Sequence, residues 1–223
     1  MIVTQTNPYA LFERQYNRWQ QNPNATTINL EGIATTLTAT GTASLLQDSS
    51  GEYISYASAA TTGTAAGVLA SAFVDTREDH LPFASAIIKI GAGANDLTAI
   101  RIWCGLCSAN PTASDTPGAV SLAAFRYATT TDGTAFWRTV TSDGASATTT
   151  TTTQAIALNT RYVLMIDASI AGRVIFSIND QVVATHTANI PAGATGLSLV
   201  CQAVTKANVA KNFRFRRFGI NAR

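Results

Sequence analysis

The clearest pattern in the chain is an alternation of side-chain types over residues 173–187, which read RVIFSINDQVVATHT. Val174, Phe176 and Ile178 recur at every second position, and β-branched residues return after the centre of the stretch. A period of two is typical of a β-strand. Asn179-Asp180 lies between the two arms, and both residue types tolerate the positive φ of a tight turn. The stretch therefore predicts a β-hairpin.

The same alternation runs through most of the chain from Thr26 onward. Turn-forming residues interrupt it at short intervals, and Asp132-Gly133 and Asp143-Gly144 are typical hairpin turns. Residues 61–79 are rich in Ala, which permits a helix, but their alternating neighbours favour a strand. The threonine run 148–153 is predicted as an exposed strand or loop. Further strands are predicted at 83–91, 97–106, 118–130, 133–143, 161–169, 195–205 and 212–220.

Many short strands without helical crossovers indicate an all-β, antiparallel fold. Several strands alternate cleanly between apolar and polar residues, which favours a β-sandwich over a closed barrel. A chain of 223 residues fits one domain of this kind. We therefore predict a single antiparallel β-sandwich over residues 26–223.

Residues 1–25 follow a different period. Four aromatic residues recur at spacings of three and four, as on one face of a helix, and Asn22-Pro23 would end that helix. This helix could pack on its own sandwich. Its position before the β-rich part favours instead a helical or extended arm whose aromatic stripe docks on a partner protein. The stripe consists of Tyr9, Phe12, Tyr16 and Trp19.

Composition adds that the chain is poor in charge. Charged residues make up 13% of it, about half the usual share of a soluble domain. Thr, Ala and Ser fill the deficit, which suits strands that pack on neighbours in a large assembly. The net charge of +2 is too small to indicate a nucleic-acid or membrane partner. We interpret Arg214, Arg216 and Arg217, which alternate with Phe, as the solvated face of a last strand.

Targeting signals are not apparent. The first residues lack the basic start, apolar run and cleavage site of a signal peptide, so we expect synthesis in a cytoplasm. No stretch approaches the 18 or so continuous apolar residues of a membrane span. These features predict a protein with no membrane partner.

The acidic residues do not form a recognisable catalytic pair. Glycosidic hydrolysis ordinarily needs two carboxylates about 5–9 Å apart, and the Glu-x-Asp-x-x-Glu strand pattern of β-sandwich glucanases is absent. The richest acidic cluster spans residues 75–80 and could be a metal site or a polar loop. The cluster lacks a central glycine that would favour metal coordination, so we expect a polar loop and no metal. Its potential ligands are Asp75, Glu78, Asp79 and His80.

The cysteines and histidines predict no cofactor and no catalytic residue. Three cysteines, an odd number, argue against a disulfide scaffold. Cys104-x-x-Cys107 has no second ligand pair for zinc and no βαβ context for redox chemistry, so we interpret these residues and Cys201 as structural thiols. No nucleophile signature accompanies His186 or the other histidine. We therefore expect a protein that is not an enzyme.

The β-rich part contains two tryptophans, Trp103 and Trp137. Exposed on a sheet, either indole could stack on a sugar ring. Packing in the core or between subunits is the alternative. Ile102 and Phe136 occupy the opposite faces of the same strands, so one member of each pair is expected to point outward.

Five stretches of the chain carry a resemblance to a known group. Phe-x-Tyr, Trp, Asp-Gly and Val-x-Phe-x-Ile-Asn follow one another in an order and spacing that resemble bacteriophage virion proteins with the concanavalin A-like lectin/glucanase sandwich. The resemblance covers roughly the last half to three fifths of the chain and implies a jelly-roll fold. The stretches are RIWCGL (101–106), AFRYATTTDGTAFWRTVTSDG (124–144), NTRYVLMIDAS (159–169), RVIFSINDQVVATHTANIP (173–191) and NFRFRRFGI (212–220).

The resemblance implies several roles, because proteins of this fold serve as capsid decoration proteins, fibres, lectins and glycan hydrolases. The acidic metal cluster of the lectins and the carboxylates of the glucanases are not recognisable here, which leaves a structural role. We expect a capsid decoration (cement) protein or head-fibre component on the virion surface, assembled in a bacterial cytoplasm as a homo-oligomer, with a trimer favoured. The arm would bind the major capsid protein. The alternative is a receptor module that binds a host-surface glycan.

Overall fold

The computed structural model describes residues 27–30, 33–37, 43–49, 51–70, 83–133, 135–192 and 195–221. The N-terminal arm over residues 1–25 and the acidic cluster over residues 75–80 lie outside these ranges, so the predictions made for them stay predictions. No helix in the described part of the chain is long and apolar enough to cross a membrane.

The described residues form fifteen strands and almost no helix, which confirms the predicted all-β class. One short 3-10 turn, Pro111–Ala113, interrupts the series. The strands are β1 (Thr27–Leu30), β2 (Ile33–Leu37), β3 (Ala43–Asp48), β4 (Gly51–Ala57), β5 (Ala65–Ala70), β6 (Phe83–Ile90), β7 (Ile100–Cys107), β8 (Ser121–Ala128), β9 (Phe136–Asp143), β10 (Ala147–Ala155), β11 (Arg161–Ile170), β12 (Arg173–Ile178), β13 (Gln181–His186), β14 (Ser198–Thr205) and β15 (Asn212–Asn221).

The strands form two antiparallel sheets. The eight-stranded sheet has the order β1-β2-β5-β14-β7-β8-β9-β10, and the seven-stranded sheet has the order β13-β12-β11-β6-β15-β4-β3. Neighbours such as β14 and β7 are far apart in sequence, so most of the pairing is long-range. The predicted antiparallel β-sandwich is therefore confirmed.

The core lies between the two sheets and is rich in aromatic side chains. Phe125 packs edge-on against Trp137, with ring centroids 6.3 Å apart, and against Phe176 at 5.3 Å. Trp137 in turn packs edge-on against Tyr162 at 5.6 Å. These edge-to-face contacts are the arrangement that aromatic rings prefer. They join β8 and β9 of one sheet to β11 and β12 of the other.

The predicted hairpin is present as β12 and β13. Val174 pairs with His186 and Ile178 with Gln181, and the turn between them has a positive φ at Asn179 and Asp180. The alternating apolar side chains of β12 are buried in the core. The predicted strand in the segment 61–79 is also present, as β5, and the threonine run lies in β10.

Candidate functional site

The segment 108–120 lies over the outer face of the eight-stranded sheet. The Trp103 indole N–H donates a hydrogen bond to the Ser114 carbonyl oxygen at 3.0 Å, and Asn110 donates one to the Gln202 side chain at 3.1 Å. A second apolar cluster is buried beneath this segment, although the outer face of a two-layer sandwich ordinarily meets solvent. Its buried members are Trp103, Cys107, Leu122, Ala124, Val140 and Val200, and the partly buried Val120 of the segment packs against them.

A row of polar and charged side chains crosses the same outer face beside this cluster. Gln202 pairs directly with Trp103, Trp103 with Arg126, and Arg126 with Arg138. Residues that pair directly on neighbouring antiparallel strands share one face of the sheet. The Arg126 guanidinium lies 5.5 Å from the centre of the Trp103 ring, within the range of a cation–π contact.

Asp132 is the first of two carboxylates that organise the cations. Arg126 donates to both of its carboxylate oxygens, and the backbone N–H of Ala128 donates to Oδ2 at 2.9 Å. Arg138 adds an ion pair at 3.6 Å and donates to the Asp132 carbonyl oxygen. The connection between β8 and β9 thus folds back, so that the Asp132 carboxylate contacts β8, the strand that precedes it. Positive φ values at Gly133 and Ala135 permit this tight path.

Asp115, from the covering segment, is the second carboxylate. It accepts hydrogen bonds from the Arg101 guanidinium, from Lys206 at 2.6 Å and from the Thr131 hydroxyl at 2.8 Å. Burial raises the pKa of Asp115, but the hydrogen bonds from Lys206 and Arg101 outweigh that effect and lower the pKa to about 2. Asp115 therefore stays ionised and ties the covering segment to the sheet.

We call these six charged residues the basic cluster, because four cations face two carboxylates. The Arg138 and Lys206 side chains keep 18% and 20% of their surface exposed, whereas Arg126 is almost fully buried. Both carboxylates are paired with cations, and the excess positive charge can attract an anion. The basic cluster consists of Arg101, Asp115, Arg126, Asp132, Arg138 and Lys206.

Sequence reasoning missed the basic cluster, although a signal for it exists. Arg101 and Arg126 are single charges inside the otherwise apolar strands IRIWCGLC and SLAAFRYA. A charge within a buried strand needs a partner, since unpaired charges are rarely buried. The local pattern does not identify the partners, because Asp115 and Asp132 come from two different loops.

His186 bridges the two sheets inside the molecule. Its Nε2 lies 3.0 Å from the Thr139 hydroxyl and its Nδ1 lies 2.9 Å from the Thr141 hydroxyl, and both threonines belong to the opposite sheet. The ring also packs against Phe176, with centroids 5.1 Å apart. Burial lowers the pKa of His186. A neutral imidazole with both nitrogens hydrogen-bonded is a structural bridge.

Of the two alternatives for the tryptophans, sugar stacking and packing, the structure shows packing. Trp103 and Trp137 both have 0% of their surface exposed. Trp137 points into the inter-sheet core. Phe136, the preceding residue of the same strand, points outward with 37% of its surface exposed, as expected for that pair. Trp103 does lie on the outer face, but the covering segment buries it, and Ile102 is buried on the inner face. Neither indole presents a face to a glycan.

The three cysteines are buried and none of them is in a disulfide. Cys104 and Cys107 are three residues apart on one strand, so they point to opposite faces of the sheet. Cys104 belongs to the inter-sheet core and Cys107 to the cluster beneath the covering segment. The C-x-x-C sequence therefore does not bring its two thiols together. Among the residues described, no group of three or more His, Cys, Asp or Glu side chains could hold a metal ion.

Comparison by sequence finds no relative for this chain: no protein-family model matches it, and no curated protein matches it. Comparison by structure finds jelly-roll and concanavalin A-like sandwiches. A protein of unknown function from Shewanella oneidensis MR-1 has a TM-score of 0.62 and 12% identity, with 100% of this chain and 96% of that chain covered.

Two further structures carry named activities. Alginate lyase A1-II′, a member of polysaccharide lyase family 7, has a TM-score of 0.53 and 9% identity over 80% of this chain and 82% of that chain. The binding domain of Paraclostridial Mosquitocidal Protein 1 has a TM-score of 0.57 and 13% identity over 86% of this chain and 44% of that chain. Such low identities show the fold alone. The chain is a jelly-roll β-sandwich, a class that includes both enzymes and binding modules, so the fold does not decide between catalysis and binding.

Proposed function

We propose that this chain is a non-enzymatic structural protein of a bacteriophage particle, either a capsid decoration protein or a head-fibre component. The observation that carries the proposal is the edge strand β10, Ala147–Ala155, which ends the eight-stranded sheet. Its sequence ATTTTTTQA has no charge and no proline. Soluble monomers ordinarily blunt an exposed edge with those residues, because an open edge pairs with other chains.

The side of β10 that has no strand partner among the described residues suits a second copy of the chain. Among the described residues β10 pairs with β9 alone, in regular register from Ala147 to Thr151. Thr149 and Thr151 are exposed, and threonines pair favourably across neighbouring strands. Contact between β10 and a different edge of the next copy can close a ring where the rotation between copies allows it, and a ring of three is the expected trimer. Contact of β10 with itself would give a dimer instead.

The placement of the reactive side chains in the described part of the chain suits a structural role. Trp103 and Trp137 are buried, His186 is held between two threonines, and both carboxylates of the basic cluster are paired with cations. These groups stabilise the fold and its covering segment. Together with the low charge of the chain, 13%, this favours a role in assembly.

The N-terminal arm completes the proposal by supplying the anchor. Tyr9, Phe12, Tyr16 and Trp19 form the stripe that would dock on the major capsid protein, since aromatic residues dominate protein interfaces. Co-sedimentation with empty capsids tests this role, with the full chain compared against residues 26–223. The full chain should sediment with the capsids and the shortened chain should not. Equal sedimentation of both would overturn the anchoring role.

Self-association through β10 is tested by placing a charge on that edge. Thr149→Lys should convert the oligomer to monomer, because pairing would bury the new charge. Ala171→Lys is the matched control, since it adds the same charge at an exposed turn between β11 and β12. Light scattering gives the mass of each assembly in solution. A wild-type chain that is monomeric, or an oligomer that survives Thr149→Lys, would contradict the proposed interface.

A second candidate function is recognition of an acidic glycan on the host surface. The observation that favours it is the basic cluster, in which cations exceed carboxylates and Arg138 and Lys206 are partly exposed. Lys206→Gln should weaken binding to a sialylated or uronic-acid glycan on an array several-fold. Arg161→Gln, which removes one exposed charge from the other sheet, should leave the binding unchanged. A wild-type chain without any array signal removes this candidate.

A further inference from the structure

Cys104 and Cys201 lie directly opposite each other on neighbouring strands. They are register partners in the pairing of β7 with β14, and both side chains belong to the inter-sheet core. Their sulfur atoms are 2.6 Å apart. The two residues are separated by 97 positions in the sequence, so no local motif reports this proximity.

Cys107 supplies a contrast within the same strand. It is also fully buried, but it lies on the outer face of the sheet beneath the covering segment. Its direct partners are Ser198 on β14 and Leu122 on β8, and neither has a thiol. The odd number of cysteines therefore resolves into one opposed pair and one single thiol.

We propose that Cys104 and Cys201 form a cross-strand disulfide when the chain meets an oxidising environment, while Cys107 remains a free thiol. Directly opposed cysteines that point to one face meet the spacing that a disulfide needs. A small gap between the sheets borders Cys104, Phe125 and Leu199. The bond would join the two central strands β7 and β14 and close a loop of nearly half the chain.

The oxidant we name is glutathione disulfide. The Cys104 thiolate attacks one of its sulfur atoms, forms a mixed disulfide and releases one glutathione thiolate. The Cys201 thiolate then attacks the Cys104 sulfur, forms the protein disulfide and releases the second glutathione. Two protein thiols are thus oxidised, one glutathione disulfide is reduced to two glutathione molecules, and the two thiol protons pass to these products.

Burial decides when this reaction can take place. Both thiols are closed off in the folded sandwich, and burial raises the pKa of the Cys201 thiol. Since the thiolate is the reacting species, the folded and reduced chain should oxidise slowly. Oxidation should be fast while the chain refolds, when the strands are paired but the sheets are not yet closed over the sulfur atoms.

The test is to refold the reduced chain in glutathione buffer, unfold the product in denaturant, alkylate the remaining thiols and map the peptides by mass spectrometry. The peptide that contains Cys104 should be joined to the one that contains Cys201, with two hydrogens lost, and Cys107 should be alkylated. Reduction of the joined chain should lower its Tm by about 5–15 °C. Alkylation of all three cysteines, or a cross-link that contains Cys107, would overturn the proposal.

Single substitutions separate the cross-link from ordinary packing. Cys107→Ser should keep the difference in Tm between the oxidised and reduced protein, although it replaces an equally buried thiol. Cys201→Ser should abolish that difference. If Cys201→Ser fails to fold, the peptide map of the wild-type chain decides alone.

Discussion

At the scale of single residues, Asp132 shows how one side chain serves two purposes. Asp132-Gly133 is recognisable in the sequence as a turn, and a turn is what the structure has between β8 and β9. The carboxylate also neutralises Arg126, which the sequence does not reveal. The turn is recognisable because it depends only on adjacent residues. The ion pair is not, because it depends on where the turn places the carboxylate in the folded chain.

Asp132→Asn should destabilise the sandwich strongly. It leaves the buried Arg126 without its counter-charge, and removal of one partner of a buried ion pair costs about 3–5 kcal/mol. Asp143→Asn is the matched control, because Asp143-Gly144 is also a turn but its carboxylate is exposed. Chemical denaturation measures both. Equal free energies of unfolding for the two variants would contradict the role assigned to Asp132.

His186 predicts a dependence of stability on pH. Burial lowers its pKa in the folded state, so the unfolded chain takes up a proton first as the pH falls. The contribution of His186 is therefore fully present above its ordinary pKa of about 6.5 and is lost as the pH falls from there toward the folded pKa. His186→Gln should remove this part of the change in Tm between about pH 7.5 and about pH 5. The lower limit of about 5 lies above the ordinary pKa values of Asp and Glu, so the titration of carboxylates contributes little over this range. Identical pH profiles for variant and wild type would contradict it.

At the scale of elements, the hairpin of β12 and β13 follows from the sequence because Val174, Phe176 and Ile178 recur at every second position before a recognisable turn. The central strands β7, β8 and β14 behave differently, since they are buried on both faces. Near-continuous apolar runs such as SLVCQAVT carry that signal. They indicate that something covers the outer face, but they do not indicate that the covering element is the segment 108–120.

Trp103→Ala distinguishes a packing role from a sugar-stacking role at the covered face. Because the indole is buried beneath the covering segment, its loss should lower the free energy of unfolding by about 3–5 kcal/mol. Phe136→Ala removes an outward-facing aromatic residue and should cost much less. Denaturation of both variants measures the difference. A stable Trp103→Ala variant that had lost glycan binding would contradict the packing role.

At the scale of the whole molecule, the sequence predicts the class of fold better than the site. The period of two and the turn residues suffice for an antiparallel sandwich. The order of strands in each sheet is not local information, and neighbours such as β5 and β14 are far apart in the chain. The basic cluster and the opposed cysteines arise from that order. They could therefore not be assembled from spacing alone.

The molecule as a whole combines a closed, well-packed interior with an uncharged edge. The interior accounts for the aromatic residues of the sandwich, the structural thiols and His186. In the proposed function, the edge strand β10 would pair with a second copy of the chain and the N-terminal arm would bind the capsid.

The location of the chain in purified particles tests the proposed function most directly. A tag at the C-terminus, labelled with gold and imaged by electron microscopy, would show where the protein lies on particles from the producing strain. We predict a regular array of labels over the head surface. Particles without label, with the tagged protein free in the lysate, would contradict the assignment of the chain as a virion structural protein.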